Sequence, residues 1–194
     1  MRKDPRRTGV EIRSVVLGPV FPFLQALPNL RLSVQPRGRG PTGVHGVEEE
    51  SPGTMNRIFF YGLFMNWSLL VEKGLHPEIV GPAALPDYRI HIGERATLLR
   101  SASSRAYGIV MDLAYSEARA LYSEPSVREY QRERVQVELL QTGEAVDAYC
   151  YNLPRELGLA GANPAYAAEL SKLAEALQFD VAYLEEIAAF GGTS

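Results

Sequence analysis

A change of period constrains what this chain can fold into. Between Arg57 and Tyr151 the apolar residues come in short runs broken by glycine, proline or charge. In "YRIHI", 88–92, they alternate: Tyr88, Ile90 and Ile92 share one face, and Arg89 and His91 the other. "RIFFY" (57–61), "ATLLR" (96–100), "AYGIVMDL" (106–113), "YQRERVQVELL" (130–140) and "EAVDAYCY" (144–151) read as further strands. "EIVGPAAL" (78–85) is mixed, with Gly81 and Pro82 marking a bulge or an edge. After Pro164 the period lengthens, and Tyr166, Leu170, Leu173 and Leu177 fall at helical spacing. Asp180 is placed to cap a second helix, 181–190, which stops at Gly191 and Gly192. Two short helices interrupt the strands: 67–73, capped by Asn66 and ended by Gly74, and 117–122, capped by Ser116. This order predicts an α+β fold whose antiparallel or mixed sheet is strongly curved or closed.

The pattern starts only at Met55. Residues 1–54 hold 7 of the 13 prolines and 7 of the 17 glycines. They carry 8 Lys and Arg against 5 Asp and Glu, a net +3, whereas 55–194 carry 12 against 18, a net −6. "VQPRGRGPTGVHGVEEESPG", 34–53, has no apolar period, and cannot bury enough surface to offset the entropy of ordering. "SVVLGPVFPFLQAL", 14–27, mimics a signal peptide. Gly18, Pro19 and Pro22 interrupt its apolar run, and no small-x-small cleavage site follows. The segment 1–54 therefore reads as a disordered leader, or as the result of a start assigned too early, with Met55 opening the domain. That domain is 55–194, with a helical tail from about residue 164.

Charge and cysteine usage narrow the partners and the compartment. The formal net charge of −3 argues against nucleic acid as an obligate partner. No apolar window of about 18 residues predicts a membrane span. The one cysteine, Cys150, allows no internal disulfide and fits a reducing, cytoplasmic location. It lacks a nucleophile's sequence frame and reads as a core thiol. His76 and His91 have no metal-ligand spacing, so no zinc site is expected.

The stretch "RIFFYGLFMNWSLL", 57–70, raises a sharper question. A strand ending in Tyr61-Gly62 turns directly into Leu63, Phe64 and Met65 and then a helix. Such a turn presents backbone N–H groups, and a glycine lets a ligand or another backbone approach closely. A tight turn closing over the core would use the same residues. Glu117, in the first turn of its helix, suits the helix dipole. Asp112 lies at a strand end, and Tyr130 begins a strand with its hydroxyl free to reach water or substrate.

Taken in order, "FFYGLFM", "AYGIVMDL", "EARALYSEP" and "YQRERVQVEL" resemble the γ-glutamylcyclotransferase-like family over residues 55–153. The resemblance implies a small curved mixed sheet approaching a barrel, flanking helices and a C-terminal helix pair. It implies a cavity bounded by the Tyr-Gly turn and a carboxylate. The implied reaction is cyclisation of a γ-glutamyl amine or amino acid to 5-oxoproline, an acyl transfer that needs no metal or organic cofactor and releases the free amine. It places Tyr61, Gly62, Leu63, Phe64 and Tyr130 at the substrate and makes Glu124 the base. The resemblance also implies a small hydroxyl residue after the glycine, where this chain has Leu63. The base is expected three positions beyond a Leu-Asp pair, with glycine after it. Here the frame is Leu121-Tyr122-Ser123-Glu124-Pro125, so Glu124 stands one residue early. Two alternatives stay open: a non-catalytic binding module of the same fold, and an accessory domain for an amide hydrolase such as allophanate hydrolase.

Overall fold

The computed structural model describes residues 55–192, so the readings of 1–54 lie outside the described residues. Five strands build the sheet: β1 (Met55–Phe60), β2 (Glu78–Ile92), β3 (Ala96–Ala114), β4 (Gln131–Leu139) and β5 (Ala145–Asn152). They form a closed barrel in the order β1-β3-β2-β4-β5. Every pairing is antiparallel except the closing one, where β5 runs parallel to β1 at Ile58 and Tyr149. The helices are α1 (Trp67–Glu72), α2 (Tyr115–Leu121), α3 (Arg155–Gly158), α4 (Pro164–Ala176) and α5 (Val181–Ala189). The α+β fold with a barrel-like mixed sheet is as expected.

The runs 78–85 and 88–92 are one strand, as are 96–100 and 106–113. Breakers bend this long ribbon without ending it. The register shifts between Ile79 and Gly81, where Gly81 has φ 154°, and again between Pro86 and Tyr88. At the second shift Asp87 (φ 60°) and Ser103 (φ 63°) both take left-handed backbone, and the Asp87 carboxylate accepts the Ser103 N–H at 3.0 Å. Short polar side chains tolerate that region, and a bulge raises local twist, which helps a sheet close.

The helix signals hold with one exception. Asn66 and Asp180 accept the N–H groups of Ser68 and Ala182, and Gly74 takes φ 79° after α1. Ser116 is not a cap. α2 starts at Tyr115 after Ala114, and Glu117 reaches back to the Ala114 N–H at 3.4 Å. The α3 turn carried no periodic signal, being four residues long.

Ile58, Phe59, Val110, Met111, Leu113 and Val137 are fully buried in the barrel, joined by Leu70, Leu121, Leu170 and Ile187 from the helices. α5 is tied to β3, where the Tyr183 hydroxyl donates to the Tyr107 carbonyl at 3.2 Å. Gly108 marks where β1 crosses closest. A Cβ there would overlap the Phe60 carbonyl oxygen and stand 2.7 Å from the Phe59 ring. Because backbone cannot move aside, Gly108→Ala is expected to destabilise the domain by about 1–3 kcal/mol or more, as overpacked cores do. Urea unfolding checks this; an unchanged midpoint would mean the strands separate freely here.

Candidate active site

The turn after β1 is pinned from both sides. Tyr61 is buried, and its hydroxyl donates to the Tyr151 carbonyl on β5 at 2.7 Å. Leu63–Met65 form a single 3-10 turn, with Met65 N–H donating to the Gly62 carbonyl at 2.9 Å. Gly62 has φ −105° and ψ −158°, an extended conformation open to any residue. Space is what favours glycine instead: a Cβ would stand 2.6 Å from the Tyr166 hydroxyl, which would have to move aside.

A cavity of about 310 Å³ opens beside this turn. Tyr61, Gly62, Leu63 and Phe64 line one side of it. Tyr122, Ser126, Val127 and Tyr130 form a second wall, from the segment between α2 and β4. The β2–β3 turn contributes Glu94 and Arg95, and the start of α4 contributes Asn163 and Tyr166. The volume suits a small metabolite.

Aromatic packing gives these walls their stiffness. The Tyr122 ring stacks on Tyr151 at 3.5 Å with 7° between planes. The Tyr130 hydroxyl donates to the Ala96 carbonyl at 2.7 Å, so this tyrosine presents its ring to the cavity while its proton is spent on β3. Burial raises the pKa of Tyr61, Tyr122, Tyr130 and Tyr166, and keeps all four phenols protonated at neutral pH. Two charged residues border the space. Arg95 is already engaged, by Glu129 at 2.6 Å and by the Ser126 carbonyl at 3.2 Å. Glu94 anchors α4 through its backbone, its carbonyl accepting from Asn163 Nδ2 at 3.1 Å.

The expected substrate-side residues, Tyr61, Gly62, Leu63, Phe64 and Tyr130, all meet at this cavity. Glu124 does not join them on its wall. Both its carboxylate oxygens receive the Lys73 ammonium, at 2.9 and 2.7 Å. Its main chain nevertheless lies within the segment 122–127 whose Tyr122, Ser126 and Val127 are lining residues. Asp112 and Glu117, the other carboxylates singled out in the sequence, have structural partners. Asp112 holds Arg57 through two bonds of 2.9 Å, and Glu117 holds the His76 main chain and ring. Cys150 is fully buried, and burial raises its pKa. Tyr122, Tyr151, Glu94, Arg95 and Tyr166 were not foreseen as lining residues.

Comparison with known proteins agrees with this geometry. The family model described as "Gamma-glutamyl cyclotransferase, AIG2-like" matches residues 58–169, from β1 into α4. Among solved structures, a γ-glutamyl cyclotransferase superposes with a TM-score of 0.59 at 16% identity, covering 72% of this chain and 90% of that one. YkqA from Bacillus subtilis gives 0.58 at 21%, covering 71% of this chain and 54% of that one. An uncharacterised protein from Homo sapiens gives 0.56 at 18%, covering 72% and 89%. At these identities the structures speak for the fold. No curated protein matches the chain. The family model spans more than half of the sequence and ends past Tyr166, so its match takes in every wall of the cavity: the chain belongs to the AIG2-like γ-glutamyl cyclotransferase family.

Proposed function

We propose that this protein cyclises a small γ-glutamyl amine or γ-glutamyl amino acid to 5-oxoproline and releases the free amine. The observation that carries this reading is the aromatic cavity closed by the Tyr61–Leu63 turn in a member of this family. The attack is intramolecular: the substrate's α-amine adds to its own side-chain amide carbon. Holding the substrate curled therefore supplies much of the rate, and stiff aromatic walls suit that task. The α-ammonium must first lose a proton, and that proton must then reach the leaving nitrogen. Glu124 is the base in this proposal. To act, it exchanges the Lys73 ammonium for that of the substrate. Tyr61, Gly62, Leu63, Phe64 and Tyr130 form the substrate's surroundings, and the chemistry proposed needs no metal.

One feature favours a second reading, a binding module without turnover: the ion pair that holds Glu124 off the cavity wall. Incubation with a panel of γ-glutamyl amines and amino acids, followed by detection of 5-oxoproline, separates the two. Release of 5-oxoproline supports the enzyme. Saturable binding of the same compounds without release supports the module.

A further inference from the structure

The Tyr166 side chain reaches from the first turn of α4 to the turn after β1. Its hydroxyl oxygen accepts the Leu63 N–H at 3.3 Å. The helix start that carries it is fixed by Asn163, whose Oδ1 accepts the Tyr166 N–H at 3.0 Å while its Nδ2 holds the β2–β3 turn. A phenol has one proton to give. Among the described residues no acceptor takes that of Tyr166, and the residue borders the cavity. Leu63 itself offers no polar side-chain atom at this point. Receiving an N–H bond polarises a hydroxyl and strengthens it as a donor. Burial pushes the pKa of the phenol up to about 12, so it keeps its proton.

We propose that Tyr166 is a catalytic residue of the cyclisation, its hydroxyl donating a hydrogen bond to the oxygen of the γ-carbonyl under attack. This rests on the cyclotransferase reading and adds to it a named donor. As the deprotonated α-amine bonds to the γ-carbon, the carbonyl π pair moves onto oxygen. The Tyr166 O–H, backed by the Leu63 N–H, meets that charge. Collapse re-forms the carbonyl and breaks the bond to the leaving nitrogen; the attacking nitrogen sheds a second proton to become the lactam N–H, and the two protons it has given up make the departing amine its ammonium. Tyr166 keeps its own proton throughout.

The opposite use of the same contact is a plug, in which the phenol blocks an N–H that the substrate needs. The two differ in sign. Tyr166→Phe keeps the ring and deletes the oxygen, and thermal unfolding verifies that it remains folded. A donor to the oxyanion predicts a fall in kcat of about 100-fold with KM little changed, the usual scale for one such donor. An unchanged or raised kcat overturns the proposal. Calorimetric titration with 5-oxoproline supplies a readout that needs no turnover, because its lactam carbonyl is the product of the same oxygen. If the wild type binds 5-oxoproline without turnover, Kd decides: a weakening of several-fold to about tenfold in Tyr166→Phe supports the donor, and an equal Kd overturns it. A wild type that neither releases nor binds 5-oxoproline sinks the cyclotransferase reading, and this proposal with it. An active wild type with an unimpaired Tyr166→Phe sinks the Tyr166 assignment alone.

Discussion

Glu124→Gln is expected to lower turnover of a γ-glutamyl substrate by about 100-fold or more, the scale of a positioned acid–base group. The amide keeps the shape of the side chain but cannot accept the ammonium proton. Substrate affinity should change much less, because the turn and the aromatic walls are untouched. The ion pair with Lys73 does not forbid this role. Both side chains are more than a third exposed, and a pair in that setting contributes only about 0–1 kcal/mol. A substrate ammonium can therefore displace the lysine at small cost. Glu117→Gln is the control. Glu117 bonds the His76 and Ala114 N–H groups, so its loss should cost about 0.3–1 kcal/mol of helix-end electrostatics and leave kcat alone. Glu94→Gln completes the set, because Glu94 is a carboxylate-bearing residue on the cavity border itself. Loss of turnover in Glu94→Gln with full activity in Glu124→Gln would move the base to the β2–β3 turn. Activity retained in both would leave no carboxylate base among these candidates.

Local chemistry wrote most of the fold into the sequence. The alternation of Tyr88, Ile90 and Ile92 gave the buried face of β2, and all three are buried. Asn66, Asp180 and Gly74 marked helix ends because each acts within two or three residues of itself. Strand continuity was less legible. The bulge marked by Gly81 and Pro82 is there, but the runs 78–85 and 88–92 read as separate strands, and a partner strand carries the ribbon through the break between them, which a window of ten residues cannot register. Closure of the barrel depends on a parallel contact between β1 and β5, elements at opposite ends of the sheet's sequence.

The site was legible in one strip only. Tyr61 to Phe64 are contiguous, so their turn could be read directly. Tyr166 could not be assigned, because its spacing with Leu170, Leu173 and Leu177 is that of an ordinary core stripe. Its ring direction follows from Asn163, which ties α4 to a turn some 70 residues earlier in the chain, at Glu94. Tyr122 read as a misfit in the Leu121–Pro125 frame. Its stack on Tyr151 accounts for an aromatic side chain at that position.

Gly62→Val should weaken binding of 5-oxoproline by at least about 100-fold, or roughly 2.7 kcal/mol, while lowering stability by less. The backbone is extended, at φ −105° and ψ −158°, and makes no demand for the left-handed region that glycine serves. The obstacle is the Tyr166 hydroxyl, 2.6 Å from the new Cβ. That atom is the far end of a side chain, so the fold can relieve the overlap by swinging the ring, at a cost near the lower end of the about 1–3 kcal/mol usual for overpacking. The cavity cannot relieve it: the methyl groups of valine and the displaced phenol both enter the space a ligand needs. Calorimetry against 5-oxoproline and urea unfolding of the same variant read the two effects. Equal losses would assign Gly62 to packing alone. A double-mutant cycle with Tyr166→Phe goes one step further. Removing the oxygen gives the new side chain room, so the stability losses of the two changes should fail to add. Strict additivity would mean that the glycine and the tyrosine do not share this contact in solution.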